Sequence, residues 1–333
     1  MFTDDDAPVL AAYRSDPDVA RYQDWPMPYT TDGATESIRR QAHLAGPTVG
    51  ESVQVAIEHD GQVIGDLYVG IGDLIDGSAQ ATLGYTLAAT HQGRGFALEA
   101  AEAMVDAVFE YTPVHRIEAT LDPLNAASMR VLDLLGFSRE GVARRSVAIR
   151  GAWLDDLRYG LLREERAAWK ARPRTAATVR FIELDADLVR TYGGLAVHPH
   201  QEQFVSSVRT SFGDALFPEV VDGAALVPWL RGIEAVAVDG APHPAGFVML
   251  AQATEAHPEP YLWRLAVDRW WQRAGVGRAV LDALVAMLRS DGHRALLVSW
   301  VDGIGGPRRF YERYGFVPTG RLIDGEIEAR LPL

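Results

Sequence analysis

Gln92-Gly93-Arg94-Gly95-Phe96-Ala97 and Gln272-Arg273-Ala274-Gly275-Val276-Gly277 are the two stretches that decide how this 333-residue chain reads. Each follows a run suited to a strand, Leu83-Gly84-Tyr85-Thr86-Leu87 or Leu262-Trp263-Arg264-Leu265-Ala266-Val267, and each opens a segment with helical apolar spacing. A helix start carries backbone N–H groups without intrahelical partners and the positive end of the dipole, and glycine there lets the backbone approach a phosphate. Arg94, Arg273 and Arg278 add cations beside the turns. One such turn is weak evidence, because two glycines before a helix also make a plain tight turn. Two copies 180 residues apart are a pattern. A dinucleotide-binding turn competes, but it wants a third glycine and an acidic ribose partner after the next strand, which neither half supplies.

Working outward, further landmarks repeat at nearly the same offset. Gly65 in Val63-Ile64-Gly65 matches Gly246 in Pro244-Ala245-Gly246 at 181 residues, and Leu135-Gly136-Phe137 matches Tyr314-Gly315-Phe316 at 179. The first pair follows the hairpin signals Asp60-Gly61 and Asp239-Gly240. Val53 to Ile57 and Ala235 to Val238 alternate with period two, and Gly246 to Leu250 is a short apolar run, as strands require. After the turns the period becomes helical. Phe96, Ala100, Ala103, Met104, Ala107 and Val108 fall on one stripe, and Val276, Val280, Leu284 and Met287 or Leu288 on another, both read as core-facing.

The expected fold class is therefore α/β with a mixed sheet flanked by helices, built twice. The charged stretch from Leu161 to Trp169 and on to Ala171-Arg172-Pro173-Arg174-Thr175 reads as a helix end and linker. It divides the chain into 1–170, a linker at 171–178, and 179–333. A length of 333 residues fits two cores better than one.

Composition narrows the function. A formal net charge of −13 repels nucleic-acid phosphates and favours cationic partners, so an anionic ligand has to be held by local amides and arginines. The absence of cysteine excludes disulfides, thiolate metal sites and a cysteine nucleophile. No histidine or carboxylate cluster has metal-ligand spacing. No apolar run reaches the roughly 18 residues of a membrane span, and Met1 to Pro8 is acidic rather than signal-like, so a cytoplasmic location is expected.

The pattern Gln-x-x-Gly-x-Gly/Ala between strand and helix, followed by a helix ending in Leu/Tyr-Gly-Phe, resembles the acetyl-CoA signature of the GNAT superfamily across most of both halves. The first half is similar to the RimJ/RimL branch through Ala11-Ala12-Tyr13-Arg14-Ser15-Asp16-Pro17, His91 to Ala100, and Asn125 to Leu132 running on to Phe137. That branch begins with an extra strand before the segment matched by Phe2 to Ala7, so a shortened sheet edge is expected. The second half looks like polyamine or diamine N-acetyltransferases through Gln201 to Val205, Leu262 to Leu265, Gln272 to Gly277, Phe310 to Phe316, Thr319-Gly320 and Gly325 to Ile327.

The resemblance implies an acetyl-CoA-dependent N-acetyltransferase acting on a small-molecule amine or a peptide N-terminus, as monomer or homodimer. It implies that Gln92, Gly93, Arg94, Gly95, Phe96, Ala97 and Asn125 in the first half hold the coenzyme. In the second half Gln272, Arg273, Ala274, Gly275, Val276 and Gly277 do so. Backbone amides of Tyr85 to Leu87 and Leu265 to Val267, with Leu87, Leu265 and Val267 as the contacts, meet pantetheine and the thioester. It assigns Tyr311 as the acid that protonates the leaving thiolate, with Tyr314 its rival, and places Ser128 at the corresponding helix start. A buried aromatic and a helix cap remain the plain readings of Tyr311 and of Asn125 with Ser128. The general base is not readable; His198/His200 and Glu326/Glu328 read as surface. Two alternatives stay open, a catalytic second domain with a structural first domain, and an acyl-CoA sensor without turnover.

Overall fold

The computed structural model describes residues 1–176, 178–221, 223–237 and 240–333. Ala177 of the expected linker, and Val238 and Asp239 of the expected strand and hairpin, lie outside the described residues. The chain divides into two compact units, Met1–Lys170 and Ala171–Leu333.

In the first unit the strands are β1 (Ser52–His59), β2 (Gln62–Ile71), β3 (Ala79–Leu87), β4 (Val114–Leu121), β5 (Ser138–Ile149) and β6 (Ala152–Leu162). The helices are α1 (Ala7–Arg14), α2 (Pro17–Ala20), α3 (Thr31–Arg40), α4 (Phe96–Tyr111), α5 (Ala126–Leu135) and α6 (Arg163–Ala171). One mixed sheet runs β1-β2-β3-β4-β6-β5, with β3 and β4 its parallel pair. Asp60 and Gly61, both at positive φ, join β1 to β2 in the two-residue turn their sequence calls for.

The second unit contains β7 (Thr178–Ile182), α7 (Ala186–Tyr192), α8 (Val208–Leu216), the short pair β8 (Val220–Val221) and β9 (Ala224–Ala225), then β10 (Pro228–Val236), β11 (Pro242–Ala251) and β12 (Tyr261–Val267). After these come α9 (Val276–Ser290), β13 (Ala295–Trp300), α10 (Arg308–Tyr314), β14 (Val317–Ile323) and β15 (Glu326–Pro332). Its main sheet, β14-β15-β13-β12-β11-β10-β7, repeats the first unit's order with β7 added beyond β10.

The repeated landmark glycines have a packing reason. A Cβ on Gly65 would overlap the Thr86 carbonyl, and one on Gly246 would overlap the Ala266 carbonyl, so each glycine lets β2 or β11 close onto the strand ahead of the turn. The stripe read on α9 is buried as expected at Val276, Val280, Leu284 and Leu288. The stripe read on α4 meets the core through Phe96, Ala100, Met104 and Val108, with the buried face centred slightly to one side of it. Ala101, Val105, Val108 and Phe109 face the core, whereas Ala103 is exposed. Alanines on every side of this helix carry little burial energy, and the few larger side chains set its phase.

Candidate functional site

The parallel strands in each unit separate before they end. β3 pairs with β4 only from Ala79↔Val114 to Thr82↔Glu118, although β3 continues to Leu87. β12 pairs with β13 only at Tyr261↔Leu297 and Leu262↔Val298, although it continues to Val267. The Ala88 N–H donates to Ile64 and the Asp268 N–H to Ala245, so by strand alternation Tyr85, Leu87, Leu265 and Val267 turn their backbone groups the other way, into the opening. Those amides face a gap with no strand to bond.

Trp263 is an extra residue in β12, where the register jumps from Met249↔Arg264 to Leu250↔Leu262. This bulge sits where β12 leaves β13, and bulges at such places re-aim the strand. β3 runs against β2 without one.

Gly93 and Gly95 adopt φ of 74° and 96°, and Gly275 adopts 86°. A Cβ added at any of the three would meet nothing within 4 Å, so these glycines serve the backbone conformation and leave open space above the turn. Arg273 occupies the place of Gly93 and takes the same left-handed conformation, φ 63°, without that freedom. Gly277 instead packs: its Cβ would lie 3.2 Å from Phe310.

Neither α4 nor α9 has a side-chain cap at its N-terminus. Thr30, Asn125, Asp185 and Ser207 do cap α3, α5, α7 and α8. The two turns thus keep their first amides free for an anion. Arg94, stacked 4.8 Å from the Phe96 ring centroid, and Arg273 pair with no carboxylate among the described residues. Open amides, left-handed glycines and unpaired guanidiniums suit a diphosphate.

Three residues expected to touch the coenzyme make side-chain hydrogen bonds within the protein. Gln92 Nε2 donates to the Leu87 carbonyl at 3.0 Å, and Gln272 Nε2 to the Val267 carbonyl at 3.1 Å. Gln272 also exchanges amide hydrogen bonds with Gln201, at 2.6 and 3.1 Å. Each glutamine ties its turn back to the strand it left. Asn125 spends its side-chain oxygen capping Ser128 N–H at 3.1 Å. Ala274 is buried, its carbonyl accepting from Ala176 N–H, so it supports the turn from behind.

In the second unit Tyr311 is 7% exposed, stacked on Trp300 at 5.6 Å and set edge-on to Phe310 and Phe316. Burial, then the neighbouring Tyr261 and Glu326, push its hydroxyl well above the ordinary tyrosine range, and it has no hydrogen-bond partner among the described residues. Tyr314 is committed elsewhere, donating to Asp282 Oδ1 on the exposed side of α9 at 2.8 Å. In the first unit Leu132 stands at the offset of Tyr311. There the tyrosine comes from the strand: Tyr85 Oη lies 2.8 Å from Ser128 Oγ and 3.0 Å from the Ser128 carbonyl oxygen. Its hydroxyl is raised chiefly by burial.

Two readings as surface are overturned. His198 and His200 are buried, their rings stacked at 5.7 Å. Burial, with His200 and then Arg269, Arg172 and Arg273 nearby, pushes the His198 imidazole down to about 3, so it stays neutral beside the second turn. Glu328 is 1% exposed, held by Arg321 at 2.8 and 2.6 Å and by Thr319 at 2.6 Å. Glu326 accepts from Ser299 Oγ, which lies 2.6 Å from Tyr261 Oη. A Pro-containing loop and an alternating strand gave no sign of the partners that bury these groups.

The sequence reading missed a second buried network. Asp66 on β2 accepts from Arg14 at 2.8 Å and from Tyr13 Oη at 2.5 Å, while the Arg14 guanidinium packs on the rings of Trp25, at 4.7 Å, and Tyr29, at 5.1 Å. Asp66 faces Thr86 in the sheet, directly behind the open end of β3.

Comparison with known proteins gives both halves the same assignment. Residues 1–138 match the model described as "Acetyltransferase (GNAT) domain", and residues 202–316 the one described as "Acetyltransferase (GNAT) family". An uncharacterized N-acetyltransferase of Bacillus licheniformis is 32% identical over 164 residues, 49% of this chain and 90% of that protein. The ribosomal protein uS5-alanine N-acetyltransferase of Escherichia coli is 36% identical over 84 residues, 25% of this chain and 43% of that protein. Among solved structures, Mycobacterium smegmatis RimJ in complex with CoA-disulfide aligns with 51% of this chain and 86% of its own, at 26% identity and a TM-score of 0.43.

Proposed function

Since the chain belongs to the GNAT acetyltransferase family, whose acyl donor is acetyl-CoA, we propose that it transfers the acetyl group of acetyl-CoA to a primary amine and that its C-terminal domain carries out the chemistry. The observation that carries this reading is the uncapped, glycine-opened start of α9 next to the unpaired end of β12. A diphosphate at the first and a thioester along the second follow from the separate needs of the two ends of the coenzyme.

In this reading the amides of Val276 and Gly277 with Arg273 hold the diphosphate, while the Leu265 and Val267 N–H groups orient pantetheine and polarise the thioester carbonyl. Tyr311 gives its proton to the departing thiolate. The pocket that disfavours its tyrosinate also disfavours a naked thiolate, so both groups become weaker acids together. In the N-terminal domain Gly93, Arg94, Gly95, Phe96 and Ala97 take the first role, Leu87 the second, and Ser128 with Tyr85 supplies the hydroxyl.

The N-terminal domain, similar to the RimJ/RimL branch, is assigned peptide N-termini as acceptors, and the C-terminal domain small amines of the polyamine kind. A net charge of −13 favours cationic acceptors of either sort. Thiol release from acetyl-CoA, followed across polyamines, aminoglycosides, amino acids and alanine-ended peptides, tests the proposal. Release with at least one amine is the expected result. Silence across the panel by a chain that still binds the coenzyme would favour a sensor instead.

A further inference from the structure

A directed chain of hydroxyls crosses from β12 over β13, where the two strands part, and ends on a carboxylate of β15. Tyr261 opens β12 and lies in its two-residue pairing with β13, and Ser299 is the first β13 residue beyond that pairing. Glu326 starts β15, which continues along β13 from Trp300↔Ile327. Ser299 has one hydroxyl proton and donates it to Glu326 Oε2, so in the 2.6 Å contact Tyr261 is the donor and Ser299 the acceptor. Tyr261 Oη therefore keeps acceptor lone pairs that the chain does not use.

Glu326 differs from its neighbour on the same strand. Glu328 is neutralised by Arg321, whereas Glu326 has no cationic partner among the described residues. Arg264 on β12 and Glu219 before β8 are the charged groups that act on Tyr261 besides Glu326; Tyr261 and Glu326 are those that act on Tyr311. Arg264 is itself tied to Asp214 at 3.3 Å. Strand alternation places the two hydroxyls and the carboxylate on the face of the sheet opposite Trp300 and Ile327, which pack with Tyr311, and Tyr311 feels Tyr261 and Glu326 electrostatically.

Resting on the acetyl-transfer reading above, we propose that Glu326 accepts the amine's proton in the C-terminal domain, through Ser299 and Tyr261. The substrate ammonium gives a proton to Tyr261 Oη as Tyr261 passes its own to Ser299 Oγ and Ser299 passes its own to the Glu326 carboxylate. The freed nitrogen lone pair forms the C–N bond, the C–S bond breaks with its electron pair on sulfur, and sulfur takes the Tyr311 proton. The second nitrogen proton leaves to solvent. Glu326 releases its proton to solvent and Tyr311 takes one back from solvent, which restores both groups and leaves amide, thiol and one proton.

The test uses the full chain carrying Arg94→Glu, which places a like charge in the N-terminal turn and leaves only the C-terminal domain to be read. Spermidine is the first acceptor, and the amine panel follows. Glu326→Gln is expected to lower kcat/KM at pH 7 about 10²-fold and to recover most of that loss as pH approaches the amine's own pKa, about 10. Ser299→Ala is expected to act in the same direction, with acetyl-CoA affinity unchanged in both, which separates lost proton transfer from lost folding. A loss that is the same at every pH, or no loss, overturns the relay. A parent chain that binds acetyl-CoA but acetylates no amine also overturns it, whereas one that binds no acetyl-CoA sinks the transferase reading itself.

Discussion

Tyr311→Phe is expected to lower turnover by the C-terminal domain about 10²-fold or more, while Tyr314→Phe leaves it nearly unchanged. The phenyl ring keeps the stack on Trp300 and the edge contacts to Phe310 and Phe316, so packing is preserved and only the hydroxyl is lost. That hydroxyl has no protein partner among the described residues, so no donor or acceptor is orphaned by removing it. Tyr314 spends its hydroxyl on Asp282, on the exposed side of α9. Thiol release measured for each variant at saturating acetyl-CoA separates the two. An unchanged rate in Tyr311→Phe would remove it from the chemistry.

Asp66→Ala is expected to destabilise the N-terminal domain by about 3–5 kcal/mol. Arg14 and Asp66 have side chains only 5% and 3% exposed, so the substitution leaves a guanidinium buried without its counter-ion and Tyr13 without its acceptor. The pair's attraction largely offsets the cost of taking both ions out of water, and cutting away one partner exposes the whole of that cost. Urea unfolding, followed through Trp25, which stacks on Arg14, reports the change. Because Asp66 lies opposite Thr86, coenzyme affinity of the first turn should fall with it. A change below about 1 kcal/mol, the scale of an exposed pair, would show that the network carries little.

What could be read in the sequence was what the backbone demands locally. Gly93, Gly95 and Gly275 were legible because left-handed turns at helix starts select glycine, and the repeat of Gly65 and Gly246 because two strands meet there without room for a Cβ. The doubled mixed sheet follows from the same landmarks. Contacts between distant segments left no trace. Arg14 and Asp66 are separated by 52 residues, Gln201 and Gln272 by 71, and Ser299 and Glu326 by 27. Nothing in local spacing distinguishes Glu326, open to Ser299, from Glu328, closed by Arg321. Gln92 and Gln272 were found by their pattern, but their bonds to Leu87 and Val267 were not, since a side-chain amide reaching back five residues to a strand carbonyl looks identical in sequence to one reaching a ligand.

Both halves depend on free amides at the starts of α4 and α9 gripping a diphosphate. Calorimetric titration of the full chain with acetyl-CoA tests this directly. Two equivalents per chain are expected, falling to one with Arg94→Glu and to one with Arg273→Glu. A titration without saturable binding at either turn would contradict the account.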